Sequence, residues 1–585
     1  MSKLSLPRSC ALLCASLLVP FVAAQEAAVA APPAAEAAPA RIATELFPDG
    51  VAERIRDEGI KRSHVMAYLK DLTGNIGHRL TGSDNFSKAC DWAVLQFHAM
   101  GVPSVQLEKW AEWKLAWNRG VWRGQIQSPI DLPMYVATEA WTAGTNGPKV
   151  GVVVAAPAEV ADVTAKSVGN KWVYYEKRVS RDVREACEKV GILGWLYRAG
   201  DPDKRFPDRV RVFGDQRAAM KSIDDVPTVP RIAIRADQAD TLKGLLDEGK
   251  EVTALFEIDN RFRDGGIPLY NVIAEIPGSE KPDEVVIVSA HLDSWHQAQG
   301  CTDNGTGTTT TIEAARILLA AGAKPKRTIR FCLWGGEEEG LLGSVAYVQR
   351  HRPDMAKVTA VYNHDTGTNW AQSLAVPGPM FEQLQPVFAT VNALLTAPDA
   401  GWDGPVFSLE KVERVRGGGG SDHASFLAAG VPGLDWDLRG RSNYFLHTWH
   451  TQWDTYDVAI EEYQRHTATV VALAALGTAN LDAMLDRTGV QAGGGRPQSQ
   501  SYAEAMFDAE MDGMKFTSVK PDGRAAKMGV QVGDELAKVN GEEVETLRDI
   551  FRIARESEAE QLVFTMKRAG APVELKMNKA DLRRN

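Results

Sequence analysis

Trp334-Gly335-Gly336-Glu337-Glu338-Glu339-Gly340 is the stretch whose reading decides this protein. It follows a β-forming apolar run, Thr328 to Trp334, so several carboxylates stand at the end of a buried strand. Two explanations are open. A solvated turn before a helix would place Glu at the positive end of a helix dipole. A bound divalent metal, with a neighbouring carboxylate acting as base, would need the same residues. The residues that bear on the choice are His291-Leu292-Asp293, Asp303-Asn304, Asp365 and His450.

Around this stretch strand and helix alternate. Strands are expected at Asn271 to Glu275, Glu284 to Ala290, Thr328 to Trp334 and Val358 to Asn363, with helices near Thr308 to Ala321 and Leu341 to Arg350. That order predicts an α/β fold of the α/β/α kind, with a mixed, mostly parallel sheet covered by helices on both faces. Ligands of such sheets collect beyond the carboxyl ends of the strands. His291, Glu337, Glu338 and Asp365 all fall just past such ends.

Working outward, residues 41–107 carry a helical pattern (Val65, Tyr68, Leu69, Leu72), a turn from Gly77 to Ser83 and a second helix from Phe86 to Met100. We assign 41–117 and 262–487 to the α/β domain. Between them, 118–261 changes to short β-rich runs at Val150 to Ala155, Lys171 to Tyr175, Gly191 to Tyr197 and Val229 to Ile234. Helices are expected near Arg181 to Val190 and Ala236 to Glu248, and Asp264-Gly265-Gly266 reads as a break before the strand Leu269 to Ile276. This is an inserted domain. Residues 488–501, with Gly493-Gly494-Gly495, are a flexible linker, and 502–585 form a compact β-rich unit.

At the N-terminus, Lys3 and Arg8 precede an apolar run to Ala24, and Val22-Ala23-Ala24 offers small residues for cleavage before Gln25. Residues 1–24 therefore read as an export signal, too short to favour a membrane span, and predict a periplasmic or secreted protein. Residues 25–40 are an Ala/Pro spacer expected to be disordered. The apolar run Thr467 to Leu481 carries Thr, Gly and Asn and reads as a buried helix. No membrane span is expected. Across 585 residues the net charge is −10 with no basic block, which argues against a nucleic-acid partner. After the signal, Cys90, Cys187, Cys301 and Cys332 remain, and none forms a C-x-x-C pair. A thiolate zinc site is thereby disfavoured, while one or two disulfides stay open.

The acidic and imidazole motifs run in the order Ser289 to Asp293, Cys301 to Gly305, Gly336-Glu337-Glu338, Asn363-His364-Asp365 and His450-Thr451-Gln452-Trp453-Asp454-Thr455. In this order they resemble the co-catalytic di-zinc exopeptidase family that includes leucyl aminopeptidases and plasma glutamate carboxypeptidase. The resemblance implies two Zn2+ per chain. His291 and Asp365 would hold one ion, Glu338 and His450 the other, and Asp303 would bridge them. Asp293 would orient His291, Glu337 would be the general base, and Tyr444 would donate to the developing oxyanion. A cis peptide at Asp303-Asn304 is also implied. Two such ions lower the pKa of a shared water toward about 7. Glu337 would pass that proton to the leaving amine of a peptide substrate. An aminopeptidase or dipeptidase is the expectation. The alternatives are a glutaminyl-cyclase-like acyl transferase with one zinc and a non-catalytic binding protein of the same fold.

The competing histidines His296, His364, His423 and His447 lack the His-Thr-x-x-Asp-Thr continuation that marks His450. Glu339 is read as the start of the following helix. The insert resembles the protease-associated domain, with a Gly-Ile-Leu-Gly strand at Gly191. In the last unit, Gly523 to Val530, Val532-Gly533-Asp534-Glu535-Leu536 and Val539-Asn540-Gly541 resemble bacterial PDZ domains. That resemblance implies a peptide or protein C-terminus as partner. Gly513, Met514, Lys515 and Phe516 are the candidate peptide-binding turn.

Overall fold

The computed structural model describes residues 45–492 and 506–579, except 178, 200–205, 207, 417–419, 513, 545–546 and 558. The expected signal (1–24), the spacer (25–40), linker residues 493–501 and Gly513 lie outside the described residues.

Strands Gly433–Asp435, Val358–Asn363, Lys281–His291 and Arg327–Trp334 lie side by side in that spatial order, all parallel. Val252–Ile276 joins antiparallel beside Arg327–Trp334, which makes the sheet mixed. Alternate residues of these strands feed two cores, the pattern of a sheet buried on both faces. Val286, Val288, Ile329, Phe331 and Leu333 pack with helices Val51–Lys61, Asp84–Ala99, Thr306–Ala320 and Glu461–Ala479. On the opposite face Val285, Ile287, Cys332 and Trp334 meet Tyr347 of helix Leu342–Arg350 and Phe426 of helix His423–Ala428. Helix Glu461–Ala479 is buried along almost its whole length, as its apolar sequence predicts. No described helix is long and apolar enough to cross a membrane. All four described cysteines are free and buried.

A long two-stranded ribbon leaves this sheet. Ser104–Ser128 pairs antiparallel with Val252–Ile276 from Ser104↔Glu275 to Ser128↔Thr253. Asn118 and Arg261, at the two ends expected for the insert, are direct partners in it. The break expected at Asp264-Gly265-Gly266 is instead a bulge inside a continuous strand. Gly265 and Gly266 take φ of 115° and 65°, and the register shifts opposite Trp113 and Leu115. Glycine permits that local reversal without ending the pairing.

At its far end the ribbon carries parallel strands Lys149–Ala155, Trp172–Tyr175, Gly194–Ala199 and Arg231–Arg235, with helices Arg181–Val190 and Ala236–Asp247. Val252–Ile276 borders this layer as well, so one sheet of 12 strands spans the main domain and the insert.

The C-terminal unit is an antiparallel sheet with its own core around Phe507, Phe516 and Phe564. Met514, Lys515 and Phe516 of the candidate peptide-binding turn are at a hairpin of this sheet. Ala509–Asp512 and Lys515–Val519 form a hairpin, and the Met514 carbonyl accepts from Leu536 N. Phe516 donates to Asp534 O, accepts from Gly533 N and has a fully buried ring. Lys515 is paired with Asp512 on one side and Glu535 on the other. These backbone groups are engaged inside the domain. Among the described strands, Ala509–Asp512 is an edge of this sheet.

Gly59 of helix Val51–Lys61 sits against helices Glu461–Ala479 and Thr306–Ala320 with no room for a side chain. A Cβ there would lie 2.0 Å from Thr469 Oγ1 and 3.2 Å from Ile317 Cδ1. Gly59→Ala should therefore cost about 1–3 kcal/mol through overpacking. Thermal unfolding should show the loss, and adding Thr469→Ala should recover most of it.

Candidate metal centre

The site forms where strand ends converge. His291 is the last residue of Lys281–His291, and its carbonyl accepts from Thr308 Oγ1 at 2.7 Å. Glu337 and Glu338 follow Arg327–Trp334 through Gly336, whose φ of 72° and contact with Trp110 favour glycine. Asp365 follows Val358–Asn363. Asp303 precedes helix Thr306–Ala320, and its peptide bond to Asn304 is cis. His450 comes from the loop after helix Tyr444–His447, with φ 58°.

Asp303 reaches both imidazoles. Its Oδ1 is 3.3 Å from His291 Nε2 and its Oδ2 is 3.1 Å from His450 Nε2. Asp365 Oδ1 is 3.6 Å from His291 Nε2, while Glu338 Oε2 is 3.0 Å from His450 Nε2. Ligand atoms thus gather in two groups, His291–Asp303–Asp365 and Asp303–Glu338–His450, each within 4.8 Å of one another. Glu337 Oε2 lies 3.9 Å from His291 Nε2, beside the first group. His291 Nε2 and Asp303 Oδ2 are buried and have no hydrogen-bond partner. Buried polar atoms are almost always paired, so these orphans fit atoms aimed at cations. Imidazole nitrogen with carboxylate oxygen is also the donor set that zinc takes.

Residues 271–474 match the profile of peptidase family M28, and 515–568 match that of a PDZ domain. Over residues 271–474 the chain is thus similar to M28 peptidases, and that segment is called the M28 domain below. The chain is 29% identical to mouse (Mus musculus) carboxypeptidase Q over 431 residues, covering 71% of this chain and 86% of that protein. It is 34% identical to leupeptin-inactivating enzyme 1 of Streptomyces exfoliatus over 196 residues, 33% of this chain and 40% of that one. Among solved structures, a peptidase M28 precursor from Shewanella amazonensis aligns with TM-score 0.54 and 25% identity, covering 76% of this chain and 99% of that one.

Behind the ligand atoms stands a second layer, drawn from residues 271–474 and from the turn at Arg79 and Thr81. Asp293, fully buried, accepts from Thr81 Oγ1 at 3.0 Å, Glu337 N at 3.3 Å and Glu338 N at 3.2 Å. Its Oδ1 stands 3.6 Å from His291 Nδ1, although the shorter contact of that nitrogen is to Asp293 O at 3.1 Å. Asp293 thus ties the glutamate turn to the histidine. Glu338 Oε1 accepts from Trp295 N at 3.2 Å.

Two further residues carried no assigned role in the sequence. Arg79, fully buried, donates to the carbonyls of Leu292, Gly77, Gln299 and Gly300, which fixes the loop between His291 and Asp303. Asp454 Oδ1 accepts from Thr302 N at 2.6 Å and Thr302 Oγ1 at 2.8 Å, and its Oδ2 accepts from Asp303 N at 3.2 Å. The fifth position of the His-Thr-x-x-Asp-Thr run was the signal for Asp454. Arg79 looked like an ordinary turn residue.

Electrostatics favour added positive charge. Burial pushes the Glu337 carboxyl well above its usual range, with Asp365, Glu338 and Asp422 adding to the shift. Burial and Asp303 lift Glu338 to about 7. For His450, burial opposes charge, yet Glu338 and Asp303 outweigh it and raise the pKa to about 9. Two imidazoles thus face a surplus of buried carboxylates, which bound cations would balance.

The competing histidines stand elsewhere. His296 Nε2 is bound to Thr138 O at 2.8 Å, and burial drops its pKa to about 3. His364 is buried and falls to about 4 for the same reason. His447 packs against Phe206 and Trp453, and His423 Nδ1 is 3.7 Å from Asp435. Tyr444 is buried against Gly367, and the nearby Asp303, Asp365 and Glu338 add to burial in raising its pKa. Glu339 does not open a helix, because it lies in a turn and the helix begins at Leu342. Burial, with Asp293 adding to it, pushes its carboxyl well above the usual range.

Asp454→Ala should free the Thr302–Asp303 turn and weaken metal binding by about 10- to 100-fold, the usual effect of losing a partner behind a ligand. Zinc titration of the chelated protein would measure it, with circular dichroism expected to stay native.

Proposed function

We propose that this protein is a metallo-exopeptidase, an aminopeptidase or dipeptidase, working with two zinc ions and Glu337 as general base. The observation that carries the reading is Asp303. One carboxylate shared between two His-containing donor groups is what a co-catalytic pair requires, since only a bridging ligand can serve both ions. His291 and Asp365 would hold one ion, Glu338 and His450 the other. Bound there, zinc supplies a more acidic water and a polarised substrate carbonyl.

The remaining steps belong to the chain. Glu337 is buried with a raised proton affinity and lies beside the first donor group. It takes the proton of the attacking water and returns it to the leaving amine. Asp293 receives the backbone N–H groups of both Glu337 and Glu338, so it orients base and ligand together. The Tyr444 hydroxyl stays protonated in its buried, acidic surroundings and is the candidate donor to the oxyanion. A one-zinc acyl transferase is disfavoured by the second donor group around His450. Residues 1–24 would direct export, 118–261 would act as a protease-associated insert shaping access, and a peptide terminus would add beside the edge strand Ala509–Asp512.

Hydrolysis of a panel of dipeptides and aminoacyl anilides, with and without chelator, tests the reading. Cleavage that disappears with chelator and returns with zinc is expected; no cleavage of any member with zinc supplied would sink it. Glu337→Gln should lower kcat by at least about 100-fold, the low end for a general base, with two zinc ions per chain retained by elemental analysis. Unchanged turnover would remove Glu337 from that role.

A further inference from the structure

One half of the metal centre is braced from outside the M28 domain. Insert residues 208–213 lie along the loop that carries His450. Arg209 Nη1 donates to Leu446 O, and Arg211 Nη2 donates to Phe445 O at 2.7 Å. The Gln452 side chain is held twice, its Oε1 accepting from Val210 N at 2.9 Å and its Nε2 donating to Asp208 O at 2.6 Å. Val212 N donates to Gln297 Oε1 at 3.2 Å, and Arg211 forms an antiparallel bridge with Thr451.

Phe213 completes the contact. Its ring centroid is 5.3 Å from the His450 imidazole and 5.4 Å from Trp295, both edge to face. Trp295 gives its backbone N–H to Glu338. The Arg211 guanidinium lies over Trp449, whose ring is 4.3 Å from His450.

Two observations make this more than packing. His450 keeps φ 58°, a conformation a non-glycine residue holds only where its surroundings over-determine it. The insert also reaches both unshared ligands of one group, His450 directly and Glu338 through Trp295. His291 and Asp365 stand instead at strand ends, and the partners described above for them, Thr308, Asp293 and Asp303, lie within the M28 domain.

We propose that insert residues 208–213 are a positioning strap for the His450–Glu338 half of the centre, so that the insert sets the affinity for one ion of the pair and leaves the other to residues outside the insert. The proposal rests on the two-zinc reading above. Gln452→Ala removes both bonds to the strap backbone, and Phe213→Ala independently removes the ring that spans His450 and Trp295. Zinc content of the full-length protein is followed by mass spectrometry through stepwise chelation. Wild type should hold two ions. Each Ala variant should release one at about 10- to 100-fold lower chelator and the other at the wild-type concentration, with excess zinc restoring hydrolysis. Phe213→Tyr, which keeps the ring, should return the wild-type release curve. Release of both ions together, or wild-type curves in both Ala variants, overturns the strap. A wild-type protein that holds only one ion overturns the two-zinc reading and the strap with it.

Discussion

The contact of Asp303 with both His291 and His450 is the constraint from which the rest of the centre follows. A carboxylate that is 5% exposed must recover the hydration it gave up. Asp303 stands between the two imidazoles with Oδ2 still unpaired, so full compensation needs added positive charge, while Asp454 holds its backbone in place. That geometry needs its loop held at fixed length from His291. Arg79 provides this with a guanidinium spent wholly on carbonyls, leaving the metal ligands free for their own task.

The same economy separates acids that look alike in sequence. Glu337 and Glu338 are neighbours, yet one faces the His291 group and the other the His450 group, because the turn through Gly336 sends successive side chains apart. Asp293 holds both backbone N–H groups, so the two carboxylates are positioned as a unit but titrate in different surroundings. Different environments are what allow adjacent carboxyl groups to take different roles. Glu339 remains outside the donor groups as a buried acid whose proton affinity burial raises.

Much of this was legible in the sequence because its physics is local. The β-forming runs ending at Trp334 and Asn363 fall at the observed strand ends, and helix Arg181–Val190 spans the expected residues. His291, Asp303, Glu338, Asp365 and His450 come together as expected from motif order. What stayed hidden depends on distant partners. Ser104–Ser128 mixes tryptophans with charges and reveals its pairing only against Val252–Ile276. Arg79, Phe213 and Gln452 act across more than 80 positions of chain, where periodicity carries no signal. The backbone partners of Met514 and Phe516 were hidden for a related reason, since only the tertiary fold brings residues 533–536 against them.

The ribbon has a consequence for how such a protein can be built. Its two strands enter and leave the insert side by side, with Asn118 facing Arg261, so chain continuity through the insert is geometrically optional. A short reverse turn joining those two positions would close a β-hairpin on an otherwise intact sheet. A segment of any length can therefore be carried between these two strands while the rest of the sheet keeps its register. Residues 208–213, within the segment so carried, then lie against the loop of His450, a histidine that stands off the strand ends.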